Sequence, residues 1–182
     1  MKMKCIVALG ALVVISNVVY ADAPEVPTAA PYIVLSENLD EPNGYGFCID
    51  TLGAGQTDLA QTHSCKPHKE DEPNDYEGFD TRFSYNTSTG QIESFPFDGV
   101  CMQALISNTV SVFALLECSD HPRQSFVYDG TDQTLRLSED KERCVTVASE
   151  TEEAGPWVKR SLTLQNCEEV DASLKQWTVV AE

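Results

Sequence analysis

The sequence predicts an all-β protein made of three copies of one small unit that close on one another with pseudo-threefold symmetry. Three observations carry this. Beyond the first 21 residues no segment keeps a helical period for three turns. Six cysteines recur, two of their three consecutive pairs at the same spacing, and an aromatic residue follows each pair. One unit alone is too small to bury a core, so three must pack together.

The chain has 182 residues, 42% hydrophobic and 23% charged, which is ordinary globular composition with room for one domain. Residues 1–21 read as a cleaved secretory signal peptide. Lys2 and Lys4 precede an apolar stretch from Cys5 to Ile15, and Val19-Tyr20-Ala21 offers small residues where a signal peptidase reads them. Ala21-Asp22-Ala23 is the neighbouring cleavage option. The apolar run is short and broken by Ser16 and Asn17, which argues against a membrane anchor. No membrane insertion is expected of the remainder, and the protein is expected to be secreted, or periplasmic if bacterial. Residues 22–30, with Pro24 and Pro27, form a short extended lead.

Export places the remaining cysteines in an oxidising compartment. Cys48, Cys65, Cys101, Cys118, Cys144 and Cys167 allow fifteen connectivities. As consecutive pairs they are spaced 17, 17 and 23 residues, and the repeated value argues for Cys48–Cys65, Cys101–Cys118 and Cys144–Cys167. Each such bridge should contribute about 3 kcal/mol. Phe83, Phe126 and Trp177 follow the second cysteines, and Phe83 to Cys101 and Phe126 to Cys144 are both 18 residues. These aromatics are expected in the core, one per unit. Short strands fit residues 111–116, 133–137 and 161–164, where apolar residues alternate or cluster between turn formers. Thr87-Ser88-Thr89-Gly90 and Asp129-Gly130-Thr131 are hairpin-type turns in matching places.

These residues resemble the ricin B-type lectin family, whose fold is the β-trefoil. The family pattern in each lobe is Cys-x-Asp, a second cysteine somewhat under twenty residues on, and then Gln-x-Trp. Lobe two has Cys101, Cys118 and Gln124-Ser125-Phe126. Lobe three has Cys144, Cys167 and Lys175-Gln176-Trp177, with lysine at the Gln position, and lobe one reads Thr81-Arg82-Phe83. No lobe carries the full motif. The likeness spans residues 31–182, with lobes at about 31–85, 86–128 and 129–182.

The resemblance implies a shallow sugar pocket in a lobe. A carboxylate just after the first cysteine accepts two sugar hydroxyls, and each charge-assisted bond is worth roughly 1.5–3 kcal/mol. An aromatic covers the apolar face of the ring. Carried over by position, lobe one offers Asp50, His63 and Asp80 as carbohydrate-binding residues. His63 is a smaller platform than Trp or Tyr, and an insertion at residues 66–78 stands beside the site. Lobe two offers Gln103, Leu116 and Arg123, and lobe three Thr146 and Gln165, without carboxylate or aromatic. Only lobe one keeps a plausible pocket.

The formal net charge of −17 repels phosphate backbones and anionic membrane surfaces, so nucleic acid is not an expected partner. Neither metal nor cofactor is expected. The run His63-Ser64-Cys65-Lys66-Pro67-His68 spends its cysteine in a disulfide, and the acidic residues 70–77 lack calcium-loop spacing. The acidic stretch 150–153 reads, like residues 70–77, as solvated. An enzyme is not expected: three histidines supply few bases, and neither a nucleophile elbow nor a phosphate loop is present. Asn86-Thr87-Ser88 is a glycosylation sequon in a predicted turn. The expected function is therefore a secreted lectin-like protein whose partners are glycans, galactose-type sugars among them, held singly at roughly millimolar Kd. The alternative is a β-trefoil with degenerate sugar sites that binds a protein partner, as a protease inhibitor does, through the 66–78 loop.

Overall fold

The computed structural model describes residues 22–53, 57–67, 78–107 and 111–182. The expected signal peptide, His68 and the acidic run at 70–77 lie outside the described residues. Fourteen strands and three single-turn 3-10 segments form the described fold. The first repeat supplies β1 (Tyr32–Leu35), β2 (Phe47–Thr51), β3 (Leu59–Ser64) and β4 (Phe83–Tyr85). The second supplies β5 (Ile92–Ser94), β6 (Val100–Ile106), β7 (Ser111–Glu117) and β8 (Phe126–Asp129). The third supplies β9 (Thr134–Leu137), β10 (Asp140–Val147), β13 (Leu162–Asn166) and β14 (Trp177–Val180), with an extra hairpin of β11 (Glu152–Ala154) and β12 (Trp157–Arg160). The expected strands at 111–116, 133–137 and 161–164 are β7, β9 and β13.

All pairings are antiparallel. The order β14-β1-β2-β3-β7-β6-β5-β4 makes one sheet, from which β12 and β11 branch at β3, and β13-β10-β9-β8 makes the other. The chain closes on itself where β1 pairs with β14, Tyr32 opposite Val180 and Leu35 opposite Trp177. Three repeats in this closed arrangement are a β-trefoil.

Period-two alternation places pairs of apolar side chains inward from each repeat. Ile33 and Leu35, Phe47 and Ile49, Met102 and Ala104, Phe113 and Leu115, Leu135 and Leu137, Val145 and Val147, and Leu162 and Leu164 share one core with Phe83, Phe126 and Trp177. The three aromatics are buried, as their spacing predicts, and the Trp177 indole N–H donates to the Val145 carbonyl at 2.9 Å. A tyrosine two residues beyond the first two aromatics links repeat to repeat. The Tyr85 hydroxyl donates to the Phe126 carbonyl at 3.0 Å, and the Tyr128 hydroxyl to the Trp177 carbonyl at 2.9 Å. The third repeat has Val179 in that position.

The three disulfides pair as the spacing predicts, Cys48–Cys65, Cys101–Cys118 and Cys144–Cys167. In the second and third repeats the residue two before the core aromatic ties down the segment around the second cysteine, and in the first it bonds a nearer carbonyl. Buried Gln124 donates to the Glu117 carbonyl at 3.0 Å and accepts the Ser119 N–H at 2.8 Å. Lys175 reaches the carbonyls of Cys167 and Val170, and Thr81 that of Gly78. Where the second repeat has Gln124, the other two thus have different donors, Thr81 and Lys175, that keep one of its tasks, bonding a backbone carbonyl.

Gly90 closes the turn between β4 and β5 at φ +76°, and its carbonyl accepts the Phe126 N–H at 2.7 Å. A Cβ there would stand 2.5 Å from the Phe126 carbonyl oxygen. Gly90→Ala therefore combines left-handed strain with a clash at a core repeat contact, and it should cost about 1–3 kcal/mol, read as a lower urea midpoint.

Candidate functional site

The β2–β3 ribbon sets the site's register. Asp50 stands opposite Gln61 and Cys48 opposite His63, while the Cys48–Cys65 bridge fixes the chain just before Lys66. The turn leading into β4 brings Asp80 to the same place. Lys66 Nζ lies 3.1 Å from Asp50 Oδ2 and 2.8 Å from Asp80 Oδ1. Asp50 is 0%, Asp80 1% and Lys66 5% exposed, so this is a buried ionic cluster. The N-terminal lead holds it from behind. The Thr28 hydroxyl donates to the Lys66 carbonyl at 2.8 Å and lies 3.4 Å from the Thr81 hydroxyl, joining the two segments that carry the cluster. Val26 packs on the disulfide.

A cavity of about 380 Å³ opens above Lys66 and Asp80. Its other walls include Gln61 and His63 of β3, and Glu153, Trp157 and Lys159 of the β11–β12 hairpin. That hairpin reaches the first repeat because β12 pairs with β3, Lys159 opposite His63 and Arg160 opposite Thr62. Three further interactions fasten it there: the Thr62 hydroxyl donates to the Arg160 carbonyl at 2.8 Å, the Arg160 guanidinium pairs with Asp40, and it also lies over the Phe47 ring. Behind the cavity, the Trp157 ring centroid is 6.2 Å from that of Tyr45.

Charge states follow from these surroundings. Burial pushes the Asp50 carboxyl up to about 8, with the Asp80 charge adding to the rise and the Lys66 ammonium and Thr51 N–H opposing it. Burial works against the Lys66 charge, but the carboxylates of Asp50 and Asp80 outweigh it and hold the ammonium above its ordinary value. Burial, then the Lys66 charge, brings His63 down to about 4, so its ring is neutral at physiological pH. The Ser64 carbonyl 3.2 Å from Nδ1 can only accept, so Nδ1 carries the proton and Nε2 is an acceptor. The site therefore offers an ammonium donor, carboxylate and imidazole acceptors, and an indole.

Of the residues expected from sequence, His63 and Asp80 line the cavity, whereas Asp50 has no exposed surface and stands behind Lys66. Sequence reasoning missed Lys66 and Trp157. The first was read only as the start of an insertion, and the second follows an acidic stretch read as solvated. Its signal was the apolar pair Trp157-Val158 directly after the turn formers Gly155-Pro156. At the corresponding faces of the other repeats, Gln103 bonds Gln124, Leu116 is exposed, Arg123 pairs with Glu139, and Thr146 and Gln165 bond one another at 3.2 Å. Among the described residues, no group of three or more His, Cys, Asp and Glu side chains is placed to hold a metal ion. No helix among them is long and apolar enough to cross a membrane.

The sequence matches no protein-family model and no curated protein. Solved structures are similar in fold. The β-trefoil lectin of the Vibrio vulnificus hemolysin/cytolysin, solved with N-acetyl-D-lactosamine, is 9% identical with a TM-score of 0.55, over 84% of this chain and 93% of that one. The C-half of an earthworm R-type lectin, solved with GalNAc, is 14% identical with a TM-score of 0.52, over 84% and 100% of the two chains. GalNAc-T7, solved with UDP, GalNAc and Mn2+, is 12% identical with a TM-score of 0.51, over 87% of this chain and 23% of that one. The protein has the β-trefoil fold of the ricin B-type lectins.

Asp50 should make stability depend on pH. Its folded-state pKa lies above that of the unfolded chain, so the unfolded chain releases this proton first as pH rises. Its burial therefore costs nothing below about pH 4, costs increasingly up to about pH 8, and is constant above that. The raised Lys66 contributes stability that is lost only above its ordinary pKa of 10.5, outside this window. In urea titrations, Asp50→Asn should match the wild type near pH 4 and gain on it by at most about 1.4 kcal/mol per pH unit up to pH 8. Parallel curves would contradict the assignment.

Proposed function

We propose that the protein is a secreted, non-catalytic carbohydrate-binding module, residues 31–182, with one sugar site in the first-repeat cavity. The observation that carries this reading is the meeting of the Trp157 ring with the Lys66–Asp80 pair and His63 in one cavity. A sugar ring has an apolar C–H face and an edge of hydroxyls that both donate and accept. Trp157 covers the face, Lys66 donates to the edge, and Asp80 and His63 Nε2 accept from it. Asp50 acts through Lys66 by holding the ammonium in place, rather than by accepting hydroxyls itself. The fold supports the same reading, since β-trefoil lectins of similar structure were solved with N-acetyl-D-lactosamine and GalNAc. Galactose-type sugars are accordingly the first ligands to try. Three disulfides fit an exported protein.

The two tryptophans make the test simple. Trp177 is buried with its indole N–H bonded, so a fluorescence change on adding sugar reports Trp157. Titration with galactose, lactose or N-acetylgalactosamine should saturate at roughly millimolar concentration. Asp80→Asn and Lys66→Met should each weaken binding by about tenfold or more, the loss of one charged hydrogen bond. Flat titrations with all three sugars, together with silence on a glycan array, would overturn the proposal.

A further inference from the structure

We propose that Asn86 is a modification site that carries an N-linked glycan, added as the chain passes through a eukaryotic secretory pathway. Asn86-Thr87-Ser88 is the one Asn-x-Ser/Thr run in the whole chain. It forms the turn between β4 and β5, and Thr87, Ser88 and Thr89 are all exposed. The hydrogen bonds of the turn leave room for the chemistry. Asn86 Oδ1 accepts the backbone N–H of Ser88 at 3.0 Å and that of Thr89 at 3.3 Å, while Nδ2 donates to Glu93 Oε1 at 3.0 Å. A carboxamide nitrogen has two hydrogens, and Glu93 takes one.

In the transfer, Nδ2 attacks C1 of the first sugar of a lipid-linked oligosaccharide diphosphate. The N–C1 bond forms and the C1–O bond to phosphate breaks. The lipid diphosphate leaves with the electron pair, and one amide hydrogen departs as a proton. The resulting secondary amide retains one N–H for Glu93 and its oxygen for Ser88 and Thr89, so the modified residue keeps every bond that shapes the turn. The glycan would project from the tip of a hairpin whose outer strand, β4, ends the sheet path. A bulky group beside such an edge hinders pairing with another chain. The candidate sugar cavity is walled by β3 and β12 with Lys66 and Asp80, and the turn contributes nothing to it.

The full chain, residues 1–182, should be expressed in a eukaryotic secretory host and the secreted product weighed intact before and after peptide N-glycosidase. The expected result is a glycan on the peptide containing residue 86, with aspartate left in its place after the enzyme. Ser88→Ala is the decisive variant, because Ser88 bonds Asn86 through its backbone N–H. The substitution removes the sequon while leaving the turn intact, and glycan should be lost with no change in urea midpoint. Asn86→Gln should also lose the glycan but loosen the turn. Retention of the chain inside the cell, secretion without glycan, or a glycan that survives Ser88→Ala would each overturn the proposal.

Discussion

Everything in this fold depends on three repeats burying one aromatic each at a common centre. No repeat has enough apolar surface to stand alone. Phe83, Phe126 and Trp177 make the centre, and the strands on either side of each aromatic carry its neighbours inward in pairs. The Tyr85 and Tyr128 hydroxyls then reach across to the backbone of the next repeat's aromatic, so each repeat's position is read by the one before it. At the third junction a tyrosine is absent, and the β1–β14 ladder closes the ring instead. The disulfides act at a different level, since each staples a ribbon within one repeat.

Among the described residues, the first repeat presents a cavity with an aromatic wall, Trp157. The inward side chains of each ribbon belong to the shared core, and the outward ones differ between the repeats. In the second repeat the face is apolar at Leu105, Val112 and Leu116, and in the third it is a small network of Thr146, Thr163 and Gln165. In the first, the Lys66 ammonium is buried between Asp50 and Asp80, and the β11–β12 hairpin supplies one wall. Such a cluster is costly to bury and is rigid once formed, which suits groups that must be held in place for a ligand.

Much of the architecture was legible in the sequence, because it follows from spacing. The equal intervals between cysteines and aromatics encode the repeat, the disulfide pairing and the core aromatics, and the structure matches all three. Less of the site could be read. Asp50, His63 and Asp80 are found around one place, but position in a motif says nothing of what a neighbouring side chain does to a carboxylate. Lys66, adjacent to the second cysteine, has a long stem that folds back between Asp50 and Asp80, and a flexible side chain's direction is not written in residue order. Trp157 is almost a hundred residues from His63 in sequence and meets it through the β11–β12 hairpin of the third repeat. Pairing across repeats is a property of the closed ring, so no reading of one repeat by itself could have supplied the aromatic wall.

The pairing of the first strand with the last has one more consequence. Tyr32 faces Val180 across the ladder, so the chain enters and leaves the trefoil through neighbouring positions. Whatever is joined to either end meets the module at a single corner, and the domain behaves mechanically as a bead hung from one point. A pull applied between the two ends would load the β1–β14 ladder first, and the three stapled ribbons only after the ring had opened.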